Sequence, residues 1–70
     1  MSNLTDPMRR ALEMLAGGWR IYLYHYFDLN GLRVHGQTFH ALLRRGWIEQ
    51  AGYLNWRITT AGRKALEESE

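Results

Sequence analysis

Apolar residues near the start of the chain recur every three or four positions, the spacing that places them on one face of a helix; they are Met8, Ala11, Leu12 and Leu15. Thr5 or Asp6 can cap the N-terminus of this helix, and Pro7 suits its first turn. The pair Gly17-Gly18 follows and is typical of a helix end. We therefore predict a helix over residues 6–16.

The period changes to two in the next stretch, WRIYLYHYFDLNGLRV, which is rich in β-branched and aromatic residues. Asn30-Gly31 predicts a two-residue type I′ turn, because both positions of that turn need positive φ. A hairpin around this turn pairs Leu29 with Leu32, Asp28 with Arg33, Phe27 with Val34 and Tyr26 with His35.

This register assigns each side chain to a face of the hairpin. The predicted core face carries Ile21, Leu23, Phe27, Leu29, Leu32 and Val34. The predicted outward face carries Arg20, Tyr22, Tyr24, Tyr26, Asp28, Arg33 and His35.

Helical spacing returns at residues 37–45, where Phe39, Leu42 and Leu43 form an apolar stripe and Gly46 marks the end. A second hairpin is predicted from residues 47–50 and 53–58, with its turn at Ala51-Gly52 and with Ile48, Leu54, Trp56 and Ile58 facing inward. Thr59 or Thr60 then caps a last helix. The pattern predicts one α+β domain over residues 1–70, in the order helix, two strands, helix, two strands, helix.

Charge is distributed unevenly along the chain. The formal net charge is +2, but three of the seven acidic residues lie in the last four positions, so residues 1–66 carry nine basic and four acidic side chains. This balance permits a polyanionic partner, and it is equally compatible with an ordinary solvated surface. The chain has no cysteine, no apolar run of the ~20 residues that span a membrane and no signal-peptide pattern. We expect a cytoplasmic protein.

The residues that carry enzyme chemistry are not arranged for it. The two serines stand near the chain ends, and the carboxylates outside the acidic tail have simpler interpretations as a helix cap, a cross-strand partner or surface charges. His25, His35 and His40 lack the spacing of a helical metal-binding pair. Gly17-Gly18 lacks the lysine and spacing of a phosphate-binding loop. We predict no catalytic residue, cofactor or metal.

The segment TFHALLRRGWIEQAGYLNWRITTAGRKAL, residues 38–66, resembles the second half of bacterial winged-helix domains, including the MarR and PadR types. In that family a recognition helix ends in Gly and an apolar pair, a wing hairpin follows, and a Leu/Ile-Thr-x-x-Gly-Arg segment opens the next helix. The matching residues here are Leu42, Leu43, Gly46, Trp47, Ile48, Ile58, Thr59, Gly62 and Arg63.

The resemblance implies a small bacterial or phage DNA-binding protein with a role in transcription regulation. One departure is that a complete helix-turn-helix has another helix directly before the recognition helix, whereas residues 19–35 here are predicted to form a hairpin. These residues either pair as strands or contain the missing helix.

The resemblance and the basic surface together predict that the helix 37–45 and the wing 47–58 bind double-stranded DNA. Gln37, His40 and Arg44 lie at i, i+3 and i+7 on one helix edge, and Gln and Arg can pair with adenine and guanine in the major groove. The predicted phosphate contacts are Thr38, Arg45, Arg57 and either Arg63 or Lys64. A homodimer is expected, because one module of this size makes a small DNA interface.

A second hypothesis, without a nucleic-acid role, concerns the tyrosines. Tyr22, Tyr24 and Tyr26 alternate along one predicted strand and would form a protein interface, either to a second copy or to another protein. The same rings could also stack on single-stranded bases. The simplest interpretation is that tyrosine favours strands and lies on a solvated sheet face.

Overall fold

Three helices and five strands make up the computed structural model, which describes residues 4–69. Their bounds are α1 Asp6–Ala16, β1 Ile21–Leu23, β2 Phe27–Leu29, β3 Leu32–Val34, α2 Gly36–Arg44, β4 Ile48–Gly52, β5 Asn55–Ile58 and α3 Thr60–Glu68. The strands form one antiparallel sheet in the order β3-β2-β1-β5-β4. The predicted α+β class is confirmed, and Glu70 of the acidic tail lies outside the described residues.

The predicted order of elements lacks one strand. The segment expected to be the first strand of the hairpin is two strands, β1 and β2, because the chain reverses between Tyr24 and Tyr26, where the Tyr24 amide donates to the Tyr26 carbonyl over 3.0 Å. β1 therefore folds back onto β2, with Ile21 opposite Leu29. Residues 19–35 contain no helix.

The turn of the hairpin β2–β3 is the one that the sequence predicts. Asn30 and Gly31 have φ values of 50° and 87°, as a type I′ turn requires. The pairs Leu29–Leu32, Asp28–Arg33 and Phe27–Val34 are confirmed. The fourth predicted pair, Tyr26 with His35, lies beyond the ends of the two strands.

The turn of the hairpin β4–β5 is not at Ala51-Gly52. β4 continues through Gly52 with a register shift after Gln50, and the chain turns at Tyr53 and Leu54. The Leu23 amide donates to the Leu54 carbonyl over 2.9 Å, so pairing with β1 extends up to this turn. Gly52 instead allows the backbone to approach the Asn55 side chain closely, since a Cβ there would lie 2.9 Å from Nδ2 of Asn55.

The core lies between one face of the sheet and the helices. α1 contacts α2, α3 and β5, α2 contacts β4, and α3 contacts β5. Side chains from both layers are fully buried there, each contributing about 1.5–3 kcal/mol of hydrophobic free energy; the largest are Leu12, Leu15, Ile21, Leu29, Leu42 and Ile48. Ile48 faces inward as predicted, and Leu54, Trp56 and Ile58 are half-buried. Leu43, predicted in the apolar stripe, is 39% exposed.

Thr59 links the ends of two helices. Its hydroxyl accepts from the Gly62 amide over 3.0 Å, which caps α3, and donates to the Gly46 carbonyl over 2.7 Å, just beyond α2. The Thr59 amide also donates to the Trp47 carbonyl over 2.9 Å. The end of α2 and the start of α3 are thus held together. Within residues 4–69, no helix has the length and apolar character needed to cross a membrane.

Candidate functional site

The inner side of α2 fixes which of its residues face solvent. Phe39 is 3% exposed, stacks on Phe27 with 3.9 Å between ring centroids, and meets Trp56 edge-to-face at 4.8 Å. Leu42 is fully buried one turn further on. These contacts hold the helix in one rotation about its axis, so its polar edge is directed outward.

Three residues predicted to contact DNA bases lie on this outward edge, which we call the α2 edge; they are Gln37, His40 and Arg44, all exposed. Gln37 and Arg44 make no side-chain hydrogen bond or ion pair within residues 4–69. His40 meets the edges of Phe39 and Phe27, at 5.4 and 6.4 Å between centroids. Two of the three side chains are therefore free to bind an external ligand.

Two of the predicted phosphate contacts lie near the end of α2 or in the adjoining helix. The Arg45 guanidinium lies 5.1 Å from the centre of the Trp47 ring, in a cation–π contact. Lys64 is exposed in α3, whose first turn is bonded to the end of α2 through Thr59. Neither cation is paired with a carboxylate among the described residues.

Thr38 is half-buried and lines a cleft of about 260 Å³ between α1, β3 and the start of α2. Arg10, Arg33 and His35 line the same cleft, together with a single carboxylate, Asp6. Neither Arg10 nor Arg33 was predicted from the sequence to belong to a site. The sequence pattern places Arg10 on the polar face of a helix and Arg33 on the polar face of a strand. That both line one cleft depends on tertiary packing.

The remaining predicted phosphate contacts lie elsewhere. Trp56 and Ile58 pack against the core, so Arg57 between them points from the opposite face of the sheet. Its Nε is 2.9 Å from Oε2 of Glu49, and both side chains are about half exposed. Arg63 donates to the Ala16 carbonyl over 3.2 Å. The structure does not bring these two arginines onto the α2 edge.

Arg57 and Arg63 instead line a second cleft, of about 180 Å³, together with Arg20. We call this the arginine cleft. Trp19, which is 50% exposed, also lines it. Arg20 was predicted from its phase with Tyr22 to point outward, but not to belong to a site. Only the pairing of β1 with β5 brings Arg20 next to Arg57.

The tyrosines do not lie along one strand as predicted. Tyr22 is in β1, whereas Tyr24 and Tyr26 are in the chain reversal, because β1 ends at Leu23. All three are exposed, Tyr24 by 66%. The rings of Tyr22 and Tyr24 are parallel within 6°, with centroids 6.1 Å apart, and the Arg33 guanidinium lies 5.5 Å from the centre of the Tyr26 ring.

A fourth tyrosine, which was not predicted from the sequence to contact a ligand, belongs to the same end of the sheet. Tyr53, in the turn between β4 and β5, is 87% exposed. Tyr22 pairs with Asn55 across β1 and β5. Two residues further toward this end are Tyr24, just after β1, and Tyr53, in the turn before β5. All four tyrosines of the chain thus lie at or next to the reversal end of the sheet.

Within residues 4–69, no group of three or more His, Asp or Glu side chains is placed to hold a metal ion. Comparisons of the chain with family models, with curated proteins and with solved structures find no match.

Proposed function

We propose that the protein binds duplex DNA through the α2 edge, as a winged-helix-like transcriptional regulator. One observation carries the proposal: the base-reading candidates Gln37, His40 and Arg44 are exposed on a helix whose other side is locked into the core. A side chain that reads a base must be held in a defined orientation but must also be free of partners within its own chain. Gln37 and Arg44 meet both requirements.

The dimensions of α2 suit the major groove. An α-helix fits that groove, where Arg can bridge guanine O6 and N7 and Gln can bridge adenine N6 and N7. Gln37 and Arg44 are seven residues apart, which is about 10 Å along the helix axis. That length corresponds to about three base pairs at ~3.4 Å per step. One copy would therefore read a short sequence, which favours a dimer on two half-sites.

Phosphate contacts are assigned to the cations and polar groups at the two ends of α2. Arg45 and Lys64 serve the C-terminal end, and Thr38 with Arg10 serves the N-terminal end. Arg57 and Arg63 are left out of this surface, because Arg57 points from the opposite sheet face and Arg63 is bonded to the end of α1.

The arrangement of elements supports a winged-helix-like interpretation. A hairpin, β4–β5, follows α2 directly, and β1, which lies between α1 and α2 along the chain, pairs with β5. The hairpin β2–β3 occupies the position of the helix that precedes a recognition helix in a helix-turn-helix. Contacts of Phe39 with Phe27 and Trp56 take over the support that such a helix would give.

The test is binding of a fluorescent mixed-sequence duplex of about 20 base pairs, long enough for two half-sites one turn apart. Wild-type affinity should fall steeply between ~50 and 200 mM salt. Arg44→Gln should weaken binding about tenfold, the loss expected for one bidentate base contact. Folding should be unchanged, since Arg44 is exposed and unpaired.

The matched control is Arg57→Gln, which removes the same charge from the opposite face of the sheet. Its duplex affinity should stay within about twofold of wild type, the residual long-range effect of one screened charge. Equal losses in the two variants would show a nonspecific charge effect. An unchanged affinity in Arg44→Gln would remove α2 as the DNA-reading element.

A further inference from the structure

The face of the sheet that points away from the helices, which we call the outer sheet face, has two chemically different ends. It includes Tyr22, Asp28, Arg33, Asn55 and Arg57, which alternate with the core-facing residues of their strands. The arginine cleft, which is also lined by Leu15, Ile58 and Arg63 on the helix side of the sheet, borders this face at one end through Arg20 and Arg57. The tyrosines lie at the other end. We propose that this face binds single-stranded nucleic acid, a ligand distinct from the duplex assigned to α2.

The arginine cleft has unbalanced positive charge. Ile21 pairs with Trp56 and Tyr22 with Asn55. Continued by one residue away from the tyrosine end, this register places Arg20 opposite Arg57. Like charges directly opposite each other on neighbouring strands are destabilising. Arg63 adds a third guanidinium to the cleft. Within the described residues, Glu49 is the one carboxylate that lines this cleft or the adjoining open groove between β4, β5 and the start of α3.

An anion between these arginines would relieve their repulsion. Glu49 balances one charge by its ion pair with Arg57. Arg63 donates to the Ala16 carbonyl, which is uncharged, so the positive charges of Arg20 and Arg63 have no counter-charge at this end of the sheet. Arginine binds phosphate oxygens through two parallel N–H donors, so a phosphate group is the ligand of matching chemistry. The arginine cleft is therefore assigned to a backbone phosphate.

The tyrosine end offers flat ring surfaces beside that phosphate site. Tyr22 is the next residue along β1 after Arg20 that lies on the outer sheet face, and its ring is parallel to the exposed ring of Tyr24. Tyr53 and the Arg33–Tyr26 pair extend this surface sideways. Every base has a face that stacks on an aromatic ring, and each such contact contributes about 1–3 kcal/mol. One nucleic-acid strand along β1 would meet phosphate-binding and base-stacking groups in turn.

Charge also argues against a second copy of this chain as the occupant. A symmetric dimer through this face would set the same surface against itself, and the arginines Arg20, Arg33 and Arg57 outnumber the carboxylates Asp28 and Glu49. The middle of the face is polar as well, because Asp28 and Asn55 flank Tyr22 on the neighbouring strands. A single-stranded nucleic acid, which has negative phosphates and unpaired bases, complements this surface better than a second copy of the chain does.

The experiment measures binding of labelled single-stranded oligonucleotides of about 12 nucleotides, within the site sizes known for single-strand-binding folds. A DNA strand and an RNA strand of the same unstructured sequence are measured in parallel, to show which of the two nucleic acids the face binds more tightly. Tyr24→Leu and Arg57→Gln are the test variants, and Arg44→Gln is the matched control on α2. The same variants are measured with duplex DNA.

Tyr24→Leu removes a stacking ring but keeps an apolar side chain, and it should weaken single-strand binding about tenfold. Arg57→Gln should weaken it several-fold and make it less dependent on salt. Arg44→Gln should leave it unchanged. With duplex DNA the pattern should reverse, so the single-strand proposal and the duplex proposal can fail separately. Thermal unfolding confirms that each variant is folded.

Three results would overturn the proposal. The first is no single-strand binding by the wild type at ~50 mM salt. The second is equally tight binding of inorganic polyphosphate, which has no bases and would reduce the face to an anion site. The third is a Tyr24→Leu variant that binds single strands normally but has a smaller oligomeric mass, which would identify the face as a protein interface.

Discussion

The two hairpins of the sheet are closed by different physical means. In β2–β3 the turn residues are Asn30 and Gly31, which adopt positive φ readily. In β4–β5 the turn contains Leu54, which has a φ of 56° although a left-handed conformation costs a residue with a Cβ about 1–2 kcal/mol. The backbone preferences of the turn residues favour the first turn, whereas the backbone preference of Leu54 opposes the second.

Contacts outside the hairpin hold β4–β5 in place. At the tip, the Leu54 carbonyl accepts from the Leu23 amide of β1. At the base, Thr59 bonds to Gly46 and to Trp47, and Gly62 of α3 lies directly against the Trp47 carbonyl. The hairpin following α2 therefore depends on the rest of the domain, whereas the hairpin preceding α2 carries its own turn signal.

The largest expected effect comes from Gly62→Ala, at the base of the second hairpin. The new Cβ would overlap the Trp47 carbonyl oxygen and lie 2.8 Å from Cγ1 of Ile58. Because the clash is with backbone atoms, we place the overpacking cost at the upper end of its usual range, about 3 kcal/mol, against the ~1 kcal/mol that alanine gains over glycine in a helix. We expect a net loss of about 2 kcal/mol, or roughly 10 °C in Tm, in thermal unfolding followed by circular dichroism.

Gly36→Ala is the control for that measurement. Gly36 begins α2, has no neighbouring atom within 4 Å of an added Cβ and does not have positive φ. The same chemical change should there leave the free energy of unfolding unchanged or raise it slightly. A stable Gly62→Ala protein would mean that α3 can move away from Trp47 at little cost, and that the second hairpin is less dependent on α3 than we infer.

A smaller loss is expected from Gly31→Ala, in the turn of the first hairpin. Space is not the cause, since no atom lies within 4 Å of an added Cβ. The cause is the φ of 87°, which should cost alanine about 1 kcal/mol in urea-induced unfolding. Gly31→Asn should lose less, because asparagine tolerates left-handed backbone. If alanine and asparagine are equally stable, the turn is not selected by local preference.

The smallest effect is expected from Leu54→Gly, in the turn of the second hairpin. Glycine removes the ~1 kcal/mol cost of positive φ, but the variant also loses the half-buried leucine side chain, worth about as much. We expect the free energy of unfolding to change by less than ~0.5 kcal/mol. A loss above ~1.5 kcal/mol would show that packing of the leucine, rather than the β1 contact, holds this turn.

Several features of the fold follow from the sequence alone, because neighbouring residues determine them. Thr5, Pro7 and the glycine pair bound α1 at residues 6–16 as predicted. Asn30-Gly31 sets the register of β2 against β3. Gly46, at a φ of 75°, ends the α2 region, and Thr59 caps α3. In each case one or two residues have a strong backbone preference or a capping side chain within hydrogen-bond reach.

The chain reversal at residues 24–26 was not predictable in this way. Side chains alternate in the same phase before and after it, so one long strand and two short paired strands have the same hydrophobic pattern. The turn at Tyr53 and Leu54 was missed for a related reason, since Gly52 looked like the turn residue but is needed for close approach to Asn55. Backbone pairing with β1 outweighed local turn propensity there.

The candidate sites also differ in whether neighbouring residues or tertiary contacts determine them. Helical spacing was enough to predict that Gln37, His40 and Arg44 share an edge of α2, since that depends only on helix geometry. The positions of Arg57 and Arg63 relative to that edge depend on which strands pair and on which face α2 packs. Tertiary structure alone therefore decided that the basic residues form separate surfaces and that Arg20 joins Arg57, because no local interaction connects residues so far apart in the chain.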